Sequence, residues 1–434
     1  MNHREAIEFL FNSLPMYQRE GKAAYKANLD NTHKLDAHFG HPHRRFKTIH
    51  VAGTNGKGSV SHMLAAVFIK AGYKTGLYTS PHLLDFRERI RINGNMIPEE
   101  EVTHFVNSNQ DIIKELTPSF FEMTVAMAFD YFAREDVEIA IIETGMGGRL
   151  DSTNILLPIL TIITNISMDH SQFLGDSPTV IAVEKGGIIK EGIPLVLGQS
   201  SRDTAEVLLR MAEEKGARVK LALQAFPTLF HTLNPDGTAN FSLRNTEEDL
   251  VETYTCDLSG HYQQENISTT LTALALLGEM KWKLPASQVR EGLKEVAAIT
   301  GLMGRWQTVR ANPRSICDTA HNAAGISAVI EQIKQIPWKN LHIIWGMVND
   351  KEIDSILPLL PGEASYYFTP SSVPRTLDAH ILQAKAAGHG LTGEAYESVA
   401  KAYHAAQERA GKDDLIFTGG STFVVADLLE SLGY

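Results

Sequence analysis

The chain has 434 residues, of which 43% are hydrophobic and 21% are charged, so it can fill the cores of two or three domains. A net charge of −11 argues against broad binding to nucleic acid or to an anionic membrane surface. The two cysteines lack metal-binding spacing, and neither a secretory signal nor a membrane-length apolar run is found, which predicts a soluble, cytoplasmic protein. Nothing in the sequence indicates an obligate interface, so we expect a monomer.

Strands and helices alternate through the first part of the chain. Asn93-Gly94 predicts the tight turn of a hairpin. The continuous apolar runs 137–143 and 159–165 are typical of parallel strands that helices cover on both faces. Further predicted elements are strands at 74–78 and 194–197, helices at 98–115, 120–134, 179–189, 203–215, 264–280 and 287–296, and a small antiparallel excursion at 224–258.

A domain boundary is predicted near residue 300. Residues 298–304 contain glycine and show no periodicity, so we predict a hinge linker there. The alternation of strands and helices restarts after it, and residues 305–434 therefore predict a smaller, Rossmann-like α/β domain. The predicted fold class is α/β, with an N-terminal P-loop domain (1–297) whose mostly parallel sheet is flanked by helices.

A glycine-rich loop between the predicted strand 47–52 and the predicted helix 59–72 is the strongest local signal. Glycines allow close approach of backbone to phosphate, and a helix N-terminus favours anions. The loop supplies Gly53, Gly56, Lys57, Gly58 and Ser59. Its spacing departs from the common G-x-x-x-x-G-K-[ST] pattern, so a plain glycine turn is the alternative to nucleotide binding. An N-K-x-D signature is lacking, which favours ATP over GTP.

Candidate Mg²⁺ ligands follow three predicted strands. They are Ser80, Glu143, and the pair Asp169 and His170. Because the carboxyl ends of parallel strands share one edge of a sheet, these side chains are expected near the phosphate loop. Each of these residues alone is weak evidence for a metal site, and imidazole is an unusual ligand for Mg²⁺. Lys185 lies in a predicted helix, and the residues alone predict that its side chain is solvated.

Several motifs follow one another along nearly the whole chain. They are VAGTNGKGS at 51–59, TSPHL at 79–83, IETGMGGRLD at 142–151, NISMDH at 165–170, EK at 184–185, MGR at 303–305 and DTAHN at 318–322. In this order they resemble the folylpolyglutamate synthase/dihydrofolate synthase family, a branch of the Mur-ligase type of ATP-dependent amide ligases.

The resemblance implies ATP-dependent ligation of L-glutamate to a folate through an acyl phosphate, with ATP and Mg²⁺ as cofactors. It implies a carbamylated Lys185 that helps to hold a second metal ion, and Ser80, Glu143 and His170 as magnesium ligands. For ATP it implies Gly56, Lys57, Gly58, Ser59, Asn266, Arg305 and Asp318. For the incoming glutamate it implies His321 and Ser421, with His321 also in a catalytic role. From the residues alone, Asp318 reads as a strand end and Asn322 as a helix cap.

The folate pocket is less defined. An aromatic slot could come from Phe120, Phe121 and the loop 81–86, which includes His82. Alternating arginines at 87, 89 and 91 could bind the glutamate tail, or could form a solvated strand face. The basic cluster at residues 41–45 could likewise bind the glutamate tail or be solvated.

Two other functions compete with folate ligation. One is a cell-wall peptide ligase on the same scaffold, and the other is a nucleotide-dependent switch without net synthesis. The loop at 55–59 and the motif at 79–82 favour folate over cell-wall substrates. The second predicted domain, which carries Arg305, Asp318 and His321, argues against a simple switch.

Overall fold

The computed structural model describes residues 1–15, 28–169, 171–349 and 353–434. These residues form two compact units. The first unit contains Met1–Asp257 and Gln263–Leu302, and the second contains Leu258–Tyr262 and Met303–Tyr434. The chain therefore visits the second unit briefly before it returns to the first, a crossing that the sequence did not predict.

Parallel strands dominate the large sheet of the first unit. Its strands are β1 (Lys47–Ala52), β2 (Thr75–Tyr78), β3 (Ile90–Ile92), β4 (Asn95–Met96), β5 (Ile139–Glu143), β6 (Leu160–Asn165), β7 (Leu195–Gln199) and β8 (Val219–Leu221). Across the sheet their order is β4-β3-β2-β5-β1-β6-β7-β8. All neighbours from β2 to β8 in that order pair in parallel, whereas β3 and β4 add an antiparallel edge. The carboxyl ends of β1, β2, β5 and β6 consequently share one edge, where open α/β sheets bind ligands.

Helices cover both faces of this sheet. They are α1 (His3–Ser13), α2 (Asp30–His38), α3 (Lys57–Lys70), α4 (Glu99–Ser108), α5 (Gln110–Leu116), α6 (Phe120–Arg134), α7 (Ser171–Leu174), α8 (Pro178–Gly186), α9 (Arg202–Glu214), α10 (Ala222–Ala225), α11 (Gln263–Glu279), α12 (Ala286–Lys294) and α13 (Val296–Thr300). Helices α3 and α11 pack against each other and against the sheet. Helices α6 and α8 bury the opposite face through clusters that contain Ile142 and Ile163. Burial on both faces explains why β1, β5 and β6 are continuous apolar runs.

A small antiparallel sheet interrupts the alternation, as the sequence predicted for 224–258. It consists of β9 (Thr228–Leu233), β10 (Ala239–Asn245) and β11 (Leu250–Cys256), with β10 in the centre. Asn234 and Gly237 close its first turn, because the amide of Gly237 donates to the Asn234 carbonyl at 3.1 Å.

The second unit repeats the α/β pattern. Its strands are β12 (Gln307–Arg310), β13 (Arg314–Cys317), β14 (Leu341–Trp345), β15 (Ser365–Phe368), β16 (Gly393–Ala395) and β17 (Leu415–Gly419). Its helices are α14 (Ala323–Gln335), α15 (Ile353–Ile356), α16 (Ala379–Ala387), α17 (Val399–Arg409) and α18 (Thr422–Ser431). The sheet order is β12-β13-β17-β14-β15-β16, parallel except for β12. Both units are therefore α/β with parallel-rich sheets, as predicted.

The structure differs from the local expectations in three places. Residues 298–300, at the start of the predicted linker 298–304, are helical, because α13 runs through Thr300 and the Asp257 carboxylate accepts a hydrogen bond from the Ala297 amide at 2.8 Å. The predicted helix 98–115 is two helices separated at Asn109. Helices α1 and α2 were not predicted, since charged residues interrupt their short apolar runs. None of the described helices is both long enough and apolar enough to span a bilayer.

Candidate active site

The glycine-rich loop joins β1 to α3 at the carboxyl edge of the large sheet. Gly53 and Gly56 have φ angles of 151° and 83°, in the region that disfavours side chains. A Cβ atom at Gly53 would lie 2.0 Å from Thr164 Oγ1, and one at Gly56 would lie 2.2 Å from Asn266 Oδ1. Both positions therefore require glycine for conformation and for space.

The end of β6 holds this loop in place. The amide of Thr54 donates to the Asn165 carbonyl at 2.9 Å, and the amide of Asn55 donates to Asn165 Oδ1 at 2.9 Å. Thr164 Oγ1 donates to the Asn55 carbonyl at 2.6 Å. The sequence placed Asn165 in a motif without assigning it a role, and it missed Thr164, because hydrogen bonds between distant segments leave no local signal.

Two lysine side chains converge on one backbone oxygen of the loop. Lys57 Nζ donates to the Gly53 carbonyl at 3.0 Å and to the Thr54 carbonyl at 3.1 Å. Lys185 Nζ, from the last turn of α8, donates to the same Gly53 carbonyl at 2.7 Å. Burial first, and the charge of Lys57 second, lower the pKa of Lys185 to about 7. Lys185 is only 4% exposed, so its reading as a solvated helix lysine was wrong.

A buried polar chain links the loop to the start of α11. Gln263 Nε2 donates to Ser59 Oγ at 3.2 Å, and Asn266 Nδ2 donates to Gln263 Oε1 at 2.7 Å. The exposed fractions of Ser59, Gln263 and Asn266 are 2%, 0% and 7%. Asn266 thus lies beside the loop as expected, and Gln263 is a member of the site that the sequence did not single out.

The predicted metal ligands Ser80 and Glu143 lie at the ends of β2 and β5, two adjacent parallel strands. The Ser80 amide donates to Glu143 Oε2 at 3.2 Å, and Glu143 is 4% exposed. Asp169 is buried, and its charge acts on Lys185. His170 lies outside the described residues. Among the described residues, no three His, Cys, Asp or Glu side chains form a ready-made metal cluster.

Asp151 organises the loop that follows Glu143. Its Oδ2 accepts hydrogen bonds from the amides of Gly145 and Met146 at 2.8 and 2.9 Å. Its Oδ1 accepts from the amide and the hydroxyl of Thr153 at 3.0 and 2.6 Å. Burial raises the pKa of Asp151, and the four donors oppose that rise. The motif at 142–151 contained this residue, but its role required the folded loop.

An aromatic cluster lies next to these strands. The ring of Phe121 packs at 6.1 Å from the ring of Tyr78, and it covers Gly145. His82 Nδ1 accepts a hydrogen bond from Arg89 Nε at 2.7 Å, and the Arg89 guanidinium lies 5.2 Å above the Phe120 ring. Burial, followed by the charge of Arg89, lowers the pKa of His82 to about 3.

The three arginines at 87, 89 and 91 do not form a solvated strand face. Arg89 and Arg91 are buried. Arg87 pairs with Asp85 at 2.7 Å. Of the three, Arg89 is the one that contacts the aromatic cluster of Phe120 and His82.

The predicted residues of the second unit gather at the carboxyl edge of its own sheet. Asp318 follows β13, and its carboxylate accepts hydrogen bonds from the Tyr262 hydroxyl at 2.5 Å and from the amides of Trp306 and Ala320 at 2.7 and 2.8 Å. Burial raises the pKa of Asp318. Arg305 donates to the Thr319 hydroxyl.

Two more of these residues lie on the same edge. His321 is exposed and hydrogen bonds through Nδ1 to the Thr319 carbonyl at 3.0 Å. Ser421 follows β17, the parallel neighbour of β13, and caps α18 by accepting from the Phe423 amide at 3.2 Å. Asn322 caps α14 through the Gly325 amide, as its pattern predicted.

Comparisons with known proteins identify the family of the chain. Residues 51–274 match the Mur ligase middle domain, and residues 304–422 match the Mur ligase glutamate ligase domain. The dihydrofolate synthase/folylpolyglutamate synthase of Bacillus subtilis is 32% identical over 422 residues, which cover 95% of this chain and 96% of that protein. The chain belongs to the dihydrofolate synthase/folylpolyglutamate synthase family.

Solved structures of this family share the whole fold. The folylpolyglutamate synthase of Mycobacterium tuberculosis, complexed with ADP and AMPPCP, is 28% identical with a TM-score of 0.86, covering 100% of this chain and 99% of that one. E. coli FolC in complex with DHPP and ADP is 28% identical with a TM-score of 0.82, covering 99% and 97%. As a family member the chain is an ATP-dependent ligase, and the cell-wall and switch alternatives are disfavoured.

Replacing Asp151 with Asn should destabilise the first unit. Two of the four donors would then face an amide NH₂ group, and we expect a loss of about 3 kcal/mol in the free energy of unfolding. Urea unfolding monitored by circular dichroism measures this loss. Asp130→Asn is the control, because that carboxylate pairs with Arg134 near the surface and should contribute no more than about 0.5 kcal/mol. Equal losses in the two variants would contradict the assigned role of Asp151.

Proposed function

We propose that this ligase uses ATP and Mg²⁺ to convert a carboxylate of a folate substrate into an acyl phosphate, which the amine of L-glutamate then attacks. In the first step a carboxylate oxygen attacks the γ-phosphorus of ATP, the P–O bond to ADP breaks, and ADP leaves. In the second step the C–N bond of the amide forms, the C–O bond to phosphate breaks, and inorganic phosphate and a proton of the amine leave. The convergence of Lys57 and Lys185 on the Gly53 carbonyl carries the proposal. It brings two lysine side chains together at the glycine-rich loop, on the sheet edge that also bears Glu143.

Lys57 is the proposed partner of the ATP phosphates, together with Gly56, Gly58 and Ser59. Its ammonium group donates hydrogen bonds to two carbonyl oxygens of the loop, which hold it there. The first amides of α3 add unpaired N–H donors and the positive end of the helix dipole. Transfer of the phosphoryl group depends mainly on such charge neutralisation and positioning.

The oxygen donors at the ends of β2 and β5 fit a hard divalent cation. Ser80 offers a hydroxyl and Glu143 a buried carboxylate, which are the ligand types that Mg²⁺ prefers. We propose these two residues as ligands, with His170 as the third from the family resemblance. Mg²⁺ bound there would neutralise charge on the phosphates. Asp151 would fix the loop behind Glu143 and so keep this carboxylate in place.

Lys185 is the proposed site of carbamylation. A lysine amine with a pKa of about 7 is substantially unprotonated in neutral solution, and an unprotonated amine attacks CO₂ to give a carbamate with release of a proton. The product is an anion beside the Lys57 side chain. The carbamate thus forms an attractive charge pair with Lys57 and adds oxygen donors near the loop.

The aromatic cluster is the proposed pterin slot. Phe121 and His82 present ring faces and edges that are only half buried. Arg89 supplies a buried cation next to His82, which suits an anionic or carbonyl-bearing part of the substrate.

The second unit is the proposed glutamate-binding domain. From the family resemblance, Arg305 and Asp318 are proposed ATP-binding residues of this unit, while His321 and Ser421 would bind the incoming glutamate. Support comes from their placement on one sheet edge and from the glutamate ligase domain that matches residues 304–422. The predicted domain limits of 1–297 and 305–434, the monomeric state and the cytoplasmic location remain predictions.

Phosphate release tests the overall reaction. The purified protein with ATP, Mg²⁺ and L-glutamate should release phosphate only when a folate substrate is added, because the carboxylate that accepts the phosphoryl group is otherwise missing. Dihydropteroate and a reduced folate monoglutamate are compared. Release with both indicates a bifunctional synthase, and release with the folate alone indicates a tail-extending enzyme. Release with neither would refute the proposed function.

Replacing Lys57 with Ala should reduce ATP turnover by about a thousandfold, since the phosphates lose their main side-chain cation. Lys70→Ala is the matched control, because Lys70 lies on the same helix and pairs with Glu295 at its far end. If the Lys57→Ala variant turns over ATP at nearly the rate of the unmodified protein, the assignment of the phosphate loop is wrong.

Replacing Lys185 with Ala should abolish activity, and small carboxylates such as acetate should restore part of it by standing in for the carbamate. In the unmodified protein activity should fall as the pH drops below about 7, because protonated Lys185 does not react with CO₂. Rates measured against pH in CO₂-depleted and bicarbonate-supplied buffer check this. The exposed Lys215 provides the control substitution to Ala. A fully active Lys185→Ala variant excludes a catalytic carbamate.

A further inference from the structure

We propose that Gln263 is a positioning residue that fixes the direction of the Ser59 hydroxyl in the phosphate loop. The inference rests on the proposed function, in which Ser59 faces the phosphates or the metal ion. Gln263 is fully buried, and both ends of its side-chain amide are engaged within the first unit.

The hydrogen bond with Asn266 determines which end of the Gln263 amide faces Ser59. Asn266 donates its Nδ2 hydrogen to Gln263 Oε1 at 2.7 Å, so the carbonyl end of Gln263 faces Asn266. The NH₂ end is left facing Ser59, and it donates to Ser59 Oγ at 3.2 Å. An amide nitrogen has no acceptor capacity, so the Ser59 hydrogen must be directed away from Gln263.

The consequence for Ser59 is chemical. With one lone pair occupied by Gln263, its oxygen keeps a second lone pair for a cation and a hydrogen for a phosphate oxygen. A hydroxyl without such a partner would rotate, and part of the binding free energy would be spent on ordering it. Gln263 therefore orients the Ser59 hydroxyl before the nucleotide binds.

Asn266 ties this arrangement to the loop backbone. Its Oδ1 lies against the Cα of Gly56, where a Cβ would come within 2.2 Å. The side chain of Asn266 thus touches the glycine that begins α3, while its nitrogen orients Gln263. The loop conformation and the Ser59 hydroxyl direction are thereby coupled through a single helical turn of α11.

A double-mutant cycle tests the proposal. Gln263→Met removes the donor at nearly constant volume, and we expect kcat/KM for ATP to fall by about tenfold while KM for glutamate stays unchanged. In the Ser59→Ala background the same substitution should cause no further fall, because the hydroxyl it orients is gone. Equal losses in the two backgrounds would mean that Gln263 only supports the fold, and would overturn the proposal.

Two further variants keep the test decisive. Gln263→Glu keeps the acceptor for Asn266 but offers Ser59 an acceptor instead of a donor, so it should also lower kcat/KM for ATP; an unchanged value overturns the proposal. Ser268→Ala is the control on the same helix, since it removes a buried hydroxyl that donates to the Phe226 carbonyl at 2.7 Å. Its kcat/KM should stay within about twofold of the unmodified protein.

Failure of the proposed function is distinguishable from failure of this inference. If the unmodified protein shows no glutamate-dependent phosphate release, the ligase proposal fails. The same cycle is then measured as affinity for ADP in the presence of Mg²⁺, by titration calorimetry. Non-additive losses of affinity support the positioning role, and additive losses overturn it.

Discussion

The carbonyl oxygen of Gly53 accepts hydrogen bonds from the Nζ atoms of both Lys57 and Lys185, and the conformation of the glycine-rich loop makes that convergence possible. Like charges repel strongly in a buried site, so the arrangement persists only where backbone dipoles oppose the charge or where one amine loses its proton. The left-handed glycines bend the loop so that its carbonyls face the lysines. Asn165 and Thr164, at the end of β6, stabilise this loop conformation through hydrogen bonds to Asn55. The parallel sheet keeps β1 and β6 adjacent.

The same constraint explains why the acidic groups lie where they do. Glu143 ends a strand on the edge that holds the two lysines, and the charges of Asp169 and Asp151 raise the pKa of Lys185 against the effects of burial and of Lys57. Asp151 also shapes the backbone, because its hydrogen bonds go to the amides of Gly145 and Met146 and to Thr153. Asp151 therefore combines a structural role with a charge that acts on Lys185.

Periodicity and turn chemistry predicted most of the fold, since the central strands are continuous apolar runs bounded by glycine or polar residues. The strand at 47–52, the helix at 120–134 and the antiparallel excursion agree with the structure. Helices α1 and α2 escaped detection because their apolar stripes are short. At the site, motifs located Lys57, Glu143 and Asp318, but burial depends on neighbours distant in sequence. Lys185 and Arg89 therefore looked like surface residues, and Gln263 gave no signal, since glutamine at a helix start has no distinctive spacing.

The brief crossing at Leu258–Tyr262 has a consequence for how this protein can be divided. A cut at Met303 would divide the chain into two fragments of ordinary domain size. The Tyr262 hydroxyl, which donates a hydrogen bond to Asp318 at 2.5 Å, would then remain on the N-terminal fragment. The excised fragment would carry a buried carboxylate missing one of its donors. The C-terminal unit is therefore not a module that recombination can exchange at a single junction, because a functional graft must bring the 258–262 segment with it.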